Sequence, residues 1–282
     1  MTQFAPPFPP GLTINLGPPA VKPNPRILFE RCPLCEGSAF RVVRTADCSA
    51  HALYHPVISP TMTWMRCDGC GHVFTDGYFS KETEALVFSK VHKNQQPGWD
   101  MDEQRTVASF IVDRVVQFTE PGGAWLDVGF GHGSLLFTAQ EFGFTPVGVD
   151  LRQASVDALT KFGIEAHCVD IVEWDQPGRF AVVSLADVLE HMPFPKRGLA
   201  AVKRLLKPDG MLFLSMPSYD CALWRQLDSE KGCPYWRELE HFHNFSRARL
   251  YALLEEMGFK PLRFNVSLRY TAGMEIVARS VG

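Results

Sequence analysis

From residue 124 onward, short apolar runs alternate with amphipathic stretches of helical length, and this alternation constrains the fold more than any other feature of the chain. The apolar runs are 124–129 (AWLDVG), 145–150 (TPVGVD), 164–170 (IEAHCVD), 180–186 (FAVVSLA) and 210–217 (GMLFLSMP). Helices are expected at about 133–143, 152–162, 196–207 and 246–258. Strands separated by helices are joined by crossovers, so they should lie mainly parallel with helices on both faces of one α/β sheet. The last two runs, 260–268 (KPLRFNVSL) and 271–279 (TAGMEIVAR), have no helix between them and are expected as an antiparallel edge.

The 282 residues leave room for a smaller unit in front of this one. We divide the chain into a proline-rich arm (1–28), a cysteine-bearing module (29–80), a helical connector (81–123) and the α/β domain (124–282). The arm holds eight prolines and little periodic hydrophobicity. In the connector, Val107, Phe110, Ile111, Arg114, Val115 and Phe118 recur at helical spacing before Pro121-Gly122-Gly123 closes the helix.

The segment AWLDVGFGHGSLL ends an apolar strand with Asp127 and then spaces Gly129, Gly131 and Gly133 two apart. In a doubly wound sheet, ligands bind at the carboxyl ends of strands where the winding reverses. Glycines there let the loop turn tightly and let a ligand lie against backbone, with the N–H groups of the next helix facing it. Dinucleotide sites use G-x-G-x-x-G; D-x-G-x-G-x-G, with its acid inside the strand, suits a ligand bearing positive charge.

At these residues the chain resembles class I S-adenosylmethionine-dependent methyltransferases, and the resemblance runs over about 105–282. It implies a Rossmann-like, mainly parallel seven-stranded sheet with an antiparallel edge, preceded here by a small zinc-ribbon module. It further implies that Asp127, Gly129, Gly131 and Gly133 cradle the cofactor, and that Asp150, with Leu151 beside it, holds the ribose hydroxyls. Asp170 would accept from the adenine amino group with Ile171 flanking the base, and Asp187 would sit where the fourth strand meets the transferring methyl. The stretches VVSLADVLEHMPFP and LLKPDGMLFLSMPS match later motifs of the family in the right order.

Cys32-Pro-Leu-Cys35 and Cys67-Asp-Gly-Cys70 are two C-x2-C knuckles 31 residues apart. Together they supply four thiolates, the set of a closed structural zinc site with no position left for chemistry. Cys48, His51, His55 and His72 lie in the same module and are expected to face solvent or substrate. Bacterial small-molecule methyltransferases with such an N-terminal zinc module, some acting on sugars, look similar in layout.

Methyl transfer needs an aligned acceptor and, for O–H or N–H acceptors, a base. Histidine titrates near neutrality, which makes His191, His241 and His243 the candidate catalytic residues. Related enzymes commonly show EH after the fourth strand and H-x-h-x-F-S before the next helix, and both occur here, with Ser246 as a helix cap. A subset of the superfamily binds a divalent cation in this region. Asp187, Glu190, His191 and His243 resemble that set for Mg2+, although the first acid is usually Glu. Tyr219, Trp224, Tyr235 and Trp236 either line an acceptor pocket or pack.

Residues 1–80 carry six Lys or Arg against five acids, and the whole chain has net charge −3. A near-neutral ribbon argues against a nucleic-acid partner, since phosphate binding needs clustered cations. The expected function is methyl transfer from S-adenosylmethionine to a small-molecule acceptor. The alternatives are an RNA methyltransferase whose ribbon docks RNA, and a cofactor-binding scaffold without catalysis. With no run of about 18 apolar residues and no signal-like N-terminus, we expect a cytoplasmic protein without membrane attachment.

Overall fold

The apolar runs after residue 124 all become strands of one seven-stranded sheet. The computed structural model describes residues 26–88, 93–230 and 232–282, so the arm, up to residue 25, lies outside the described residues. Before the sheet come β1 (Arg26–Leu28), β2 (Phe40–Asp47), β3 (Thr61–Cys67), β4 (Val73–Thr75), β5 (Gly77–Phe79), α1 (Lys81–Phe88) and α2 (Met101–Val116). The α/β part follows as β6 (Ala124–Val128), α3 (Ser134–Glu141), β7 (Thr145–Asp150), α4 (Gln153–Thr160), β8 (Glu165–Cys168), β9 (Phe180–Ala186), α5 (Pro195–Leu205) and β10 (Leu206–Pro217). An insertion then carries α6 (Ala222–Ser229) and β11 (His243–Asn244), before α7 (Arg247–Glu256), β12 (Phe259–Val266) and β13 (Gly273–Ser280) complete the chain.

Strands β10, β9, β6, β7 and β8 are parallel neighbours, and β13 pairs antiparallel with both β10 and β12. The strand order is β12-β13-β10-β9-β6-β7-β8, so the winding reverses between β6 and β9, and the loops after these two strands open a crevice there. One face of the sheet buries Leu199, Val202 and Leu205 of α5 and Leu250, Leu253 and Leu254 of α7. The other buries Ile111, Val112 and Val115 of α2 together with residues of α3 and α4. Helix α2, assigned from sequence to a connector, is thus part of the sheet's cover. Its Arg114, at a buried stripe position, pairs with Glu275 of β13, while Phe110 of the same expected stripe is exposed.

The cysteine module is not a free-standing body. Its sheet has four strands in the order β11-β4-β3-β2, and the outer strand β11 comes from the insertion after β10, with His243 opposite Phe74. A third apolar core joins the two: Leu53, Ile58, Met62 and Trp64 pack with Trp224, Tyr235, Trp236 and Phe242. Trp64 Nε1–H donates to the Trp236 carbonyl at 2.9 Å, and the two rings meet edge to face. The insertion aromatics Tyr219, Trp224, Tyr235 and Trp236 belong to this core, which decides in favour of packing. Among the described residues no helix is long and apolar enough to cross a membrane.

Candidate active site

A cavity of about 830 Å3 occupies the crevice above β6. Its floor is the loop after β6. Gly129, Gly131 and Gly133 adopt φ of 64°, 51° and 77°, the left-handed region that side chains with a Cβ avoid. A Cβ on Gly131 would meet only the Gly129 carbonyl, at 4.0 Å, so the loop has open space on that side. Gly129 and Gly131 line the cavity; Gly133 does not. Gly133 instead starts α3, where a Cβ would press on Leu159 and Phe137. Gly133 has no side chain to cap α3, and the first N–H of the helix, Ser134, donates to His132 Nδ1 at 3.4 Å on the cavity wall.

Acids at the ends of three successive strands face the cavity. Asp127 is buried, accepts from Ser184 Oγ at 2.6 Å, and is pushed up to about 7 by that burial. Asp150 ends β7 with its carboxylate held by Arg152, whose backbone N–H and Nε donate to Oδ1 and whose Nη2 donates to Oδ2, each at 2.9 Å. Leu151 is exposed beside it. Asp170 accepts from the Val172 N–H, and Ile171 is buried at the same rim.

Asp187 follows the end of β9 and lines the same cavity. It sits at φ 59° and is tied down from three sides: Arg269 at 2.9 Å, Ser215 Oγ at 3.0 Å, and the Tyr270 hydroxyl. Arg269 and Tyr270 come from the turn between β12 and β13 and were not anticipated. Nothing in the local sequence marks Arg269 apart from its being a cation in the turn of an edge hairpin. It lines the cavity and is the charge that balances Asp187.

The opposite wall comes from the cysteine module and the insertion: Ile27, Leu53, Tyr78, Phe79, Glu240 and His241, with His191 from the loop after β9. His191 Nδ1 lies 3.0 Å from the Glu240 carbonyl, so Nδ1 carries the hydrogen and Nε2 is the accepting nitrogen. The His241 ring stands edge to face on His191 with centroids 4.7 Å apart. Burial, then the charge of His191, holds His241 well below the usual histidine range. Glu190 is buried with neither carboxylate oxygen hydrogen-bonded, and burial followed by Asp187 raises it well above the usual carboxylate range.

His243 does not reach the cavity. It is fully buried, its Nε2 is 3.0 Å from the Met192 carbonyl and its Nδ1 3.0 Å from His72 Nε2, and burial lowers it to about 4. His72, expected at a surface, is its buried partner. The set named for Mg2+ therefore does not assemble as written, because Asp187 is committed to Arg269 and His243 to Met192 and His72. The donor atoms that lie within 4.8 Å of one another are those of Glu190, His191 and His241.

The four cysteines do converge. Their sulfurs lie within 4.8 Å of one another, with Cys32 and Cys70 3.7 Å apart and Cys35 and Cys67 3.4 Å apart. Sulfurs around a tetrahedral ion with bonds of about 2.3 Å are spaced comparably, so the residues fit zinc. Each knuckle turns back in the same way, Glu36 N–H to the Cys32 carbonyl and Gly71 N–H to the Cys67 carbonyl, and both Glu36 and Gly71 have positive φ.

A seven-stranded sheet with this order, a glycine loop after its first strand and acids on the strands that follow define the class to which the molecule belongs. The model of the methyltransferase domain matches residues 101–263, and the chain belongs to that family. The ubiquinone biosynthesis O-methyltransferase of Xanthomonas campestris pv. campestris is 34% identical over 103 residues, 34% of this chain and 43% of the relative. That of Idiomarina loihiensis is 34% identical over 107 residues, covering 35% and 44%. The match thus spans less than half the length of these curated relatives. Among solved structures, the 1,6-didemethyltoxoflavin-N1-methyltransferase of Burkholderia thailandensis, with bound 1,6-didemethyltoxoflavin and S-adenosylhomocysteine, has a TM-score of 0.54 at 19% identity, over 76% of this chain and 98% of its own. The magnesium protoporphyrin IX methyltransferase of Synechocystis PCC 6803, with bound S-adenosylhomocysteine, has a TM-score of 0.51 at 18% identity, over 72% and 89%. At these identities the likeness is one of fold.

Proposed function

We propose that this chain transfers the methyl group of S-adenosylmethionine to a small-molecule acceptor, on a framework stapled by one structural zinc ion at Cys32, Cys35, Cys67 and Cys70. One observation carries the reading: a single cavity has a left-handed glycine loop and Asp127, Asp150 and Asp170 on one wall, and His191 and His241 on the other. A positively charged adenosyl ligand fits the first wall and a hydroxyl or amine acceptor the second. Relatives named for O-methylation in ubiquinone biosynthesis, and a structural neighbour holding S-adenosylhomocysteine beside 1,6-didemethyltoxoflavin, support a small acceptor.

The cofactor, when bound, would supply a methyl group on a sulfonium: the acceptor's lone pair would bond to that carbon in line as the carbon–sulfur bond breaks, and the electron pair would leave with sulfur as a neutral thioether. The chain's own residues do the rest. Gly129 and Gly131 let the ligand approach the backbone. Asp150 would hold the ribose hydroxyls, Leu151 would cover that edge, and Asp170 and Ile171 would hold the base. Asp127, raised to about 7 in the free protein, would ionise beside the positive charge of the ligand. His191 Nε2 takes the acceptor's proton as the new bond forms, and its Nδ1–H stays on the Glu240 carbonyl. His241, neutral and packed against the imidazole, limits its rotation.

Calorimetric titration of the zinc-loaded protein tests the first half of this reading. S-adenosylmethionine and S-adenosylhomocysteine should bind one to one and NADH should not. Asp150→Ala should weaken both by about 1.5–3 kcal/mol, the worth of charged hydrogen bonds, and His191→Ala should leave both intact while reducing turnover. Loss of cofactor binding in His191→Ala would remove this residue from the acceptor side. Turnover by zinc-loaded protein without added Mg2+ supports His191 as the base; turnover that requires added Mg2+ would give Glu190, His191 and His241 to a cation instead. Binding without transfer across a metabolite screen would leave a cofactor-binding scaffold, and a salt-resistant shift of RNA would bring back the RNA acceptor.

A further inference from the structure

The loop that follows β2 in the cysteine module reaches the insertion at one polar point. His51 Nδ1 accepts from the Leu53 N–H at 3.2 Å, which assigns the hydrogen to Nε2. That Nε2 is 3.1 Å from Glu238 Oε2 and 3.4 Å from Glu240 Oε2. All three side chains are mostly buried. Glu240 is the residue whose carbonyl accepts from His191 Nδ1, and the next residues are held in turn, with the His241 N–H on the Glu238 carbonyl and the Phe242 N–H on the Glu190 carbonyl. Backbone from 238 to 242 is therefore clamped between the loop of His191 on one side and His51 on the other.

We propose that His51 is a positioning residue for the proposed methyl transfer: hydrogen-bonded to Glu238 and at ion-pair distance from Glu240, it fixes the turn that carries the Glu240 carbonyl, which holds His191 as the Nδ1–H tautomer with Nε2 toward the acceptor. The inference rests on the reading of His191 as the base. It gives the cysteine module a part in the chemistry beyond folding, since a residue outside the α/β domain orients the group that receives the proton. An imidazole has two nitrogens competing for one hydrogen, and a fixed acceptor at one of them settles which nitrogen is basic. Without His51, the two carboxylates repel across the turn, the Glu240 carbonyl moves, and both tautomers of His191 are populated.

The test is imidazole 15N NMR on the full, zinc-loaded chain without acceptor, with the His191 signals assigned through His191→Gln. The wild type should show one pyrrole-type nitrogen at Nδ1 and one pyridine-type nitrogen at Nε2. His51→Ala should average the two shifts, and His51→Gln, which keeps an N–H at the Nε2 position, should restore them. Turnover should follow, falling about tenfold in His51→Ala with KM for the cofactor unchanged and recovering in His51→Gln. An unaltered His191 tautomer in His51→Ala would overturn the proposal, as would equal losses in the Ala and Gln variants. If His51→Ala does not fold, Glu238→Ala, which removes the acceptor of the His51 Nε2–H, gives the same reading, with a tautomer shift expected and an unshifted tautomer overturning it. Should the wild type bind cofactor and methylate nothing, the reading of His191 as base fails by itself, while the tautomer measurement still judges the positioning.

Discussion

At the residue scale, the acids of the cavity are set by what surrounds them. Burial raises Asp127 to about 7 against an ordinary 3.8, outweighing its hydrogen bond from Ser184 and the charge of Arg269, with Asp187 and Asp150 adding to the rise. The folded chain thus holds a proton that the unfolded chain releases between about pH 4 and 7. The stability it contributes is complete below the ordinary value and is lost as pH rises through about 7. Asp127→Asn has no such proton. Relative to wild type, the variant should gain stability from pH 4 to 7 with a slope of up to about 1.4 kcal/mol per pH unit, which urea unfolding of both proteins at several pH values would measure. A flat difference would mean that Asp127 is ionised in the free protein. The sequence marked this residue, along with Gly129, Gly131, Asp150 and Asp170, because a repeated small-residue spacing and acids at strand ends are local signals. It could not separate His241 from His243, two residues apart on opposite sides of a turn. One faces the cavity; the other is buried against His72, which lies 171 residues away in the chain.

At the scale of elements, the strands and helices after residue 124 were legible because each carries its own period, and the crossover rule then ordered them. What was not legible came from pairing at a distance. A two-residue strand, β11, has no pattern of its own and exists because β4 offers it an edge. Arg114 read as part of an apolar stripe on α2 because its partner, Glu275, lies on the last strand. Glu275 is buried beside a half-buried Arg114, and Glu275 Oε1 has no hydrogen bond. Arg114→Met should therefore cost about 3–5 kcal/mol by leaving a carboxylate alone in the interior, and adding Glu275→Leu should recover most of it. Thermal denaturation of the single and double variants would show whether the loss lies in the pair or in the packing of α2.

At the scale of the whole molecule, the cavity joins two differently built parts. The glycine loop and its acids rest on the seven-stranded sheet, whereas the wall proposed for the acceptor rests largely on the cysteine module and the insertion that shares its sheet. Zinc in a four-thiolate site contributes directly to folding. Removing it, or replacing Cys35 by Ser, should loosen residues 29–80 and 219–245 together, abolish transfer, and change cofactor affinity by only a few fold. Hydrogen exchange of metal-free and zinc-loaded protein, read beside the same calorimetric titration, would test this. Loss of cofactor binding together with the metal would mean that the two walls fold as one unit.

The sharing of β11 also bears on how the protein is made. When the segment that ends with β4 leaves the ribosome, the partner for its open edge has yet to be translated, and at ordinary synthesis rates it arrives on the order of ten seconds later. During that interval the nascent chain presents an unpaired strand next to four thiols, an arrangement open to pairing with other chains. Early capture of metal by Cys32, Cys35, Cys67 and Cys70 would protect the nascent chain, so zinc-starved cells should accumulate aggregated protein while losing little of what has already folded.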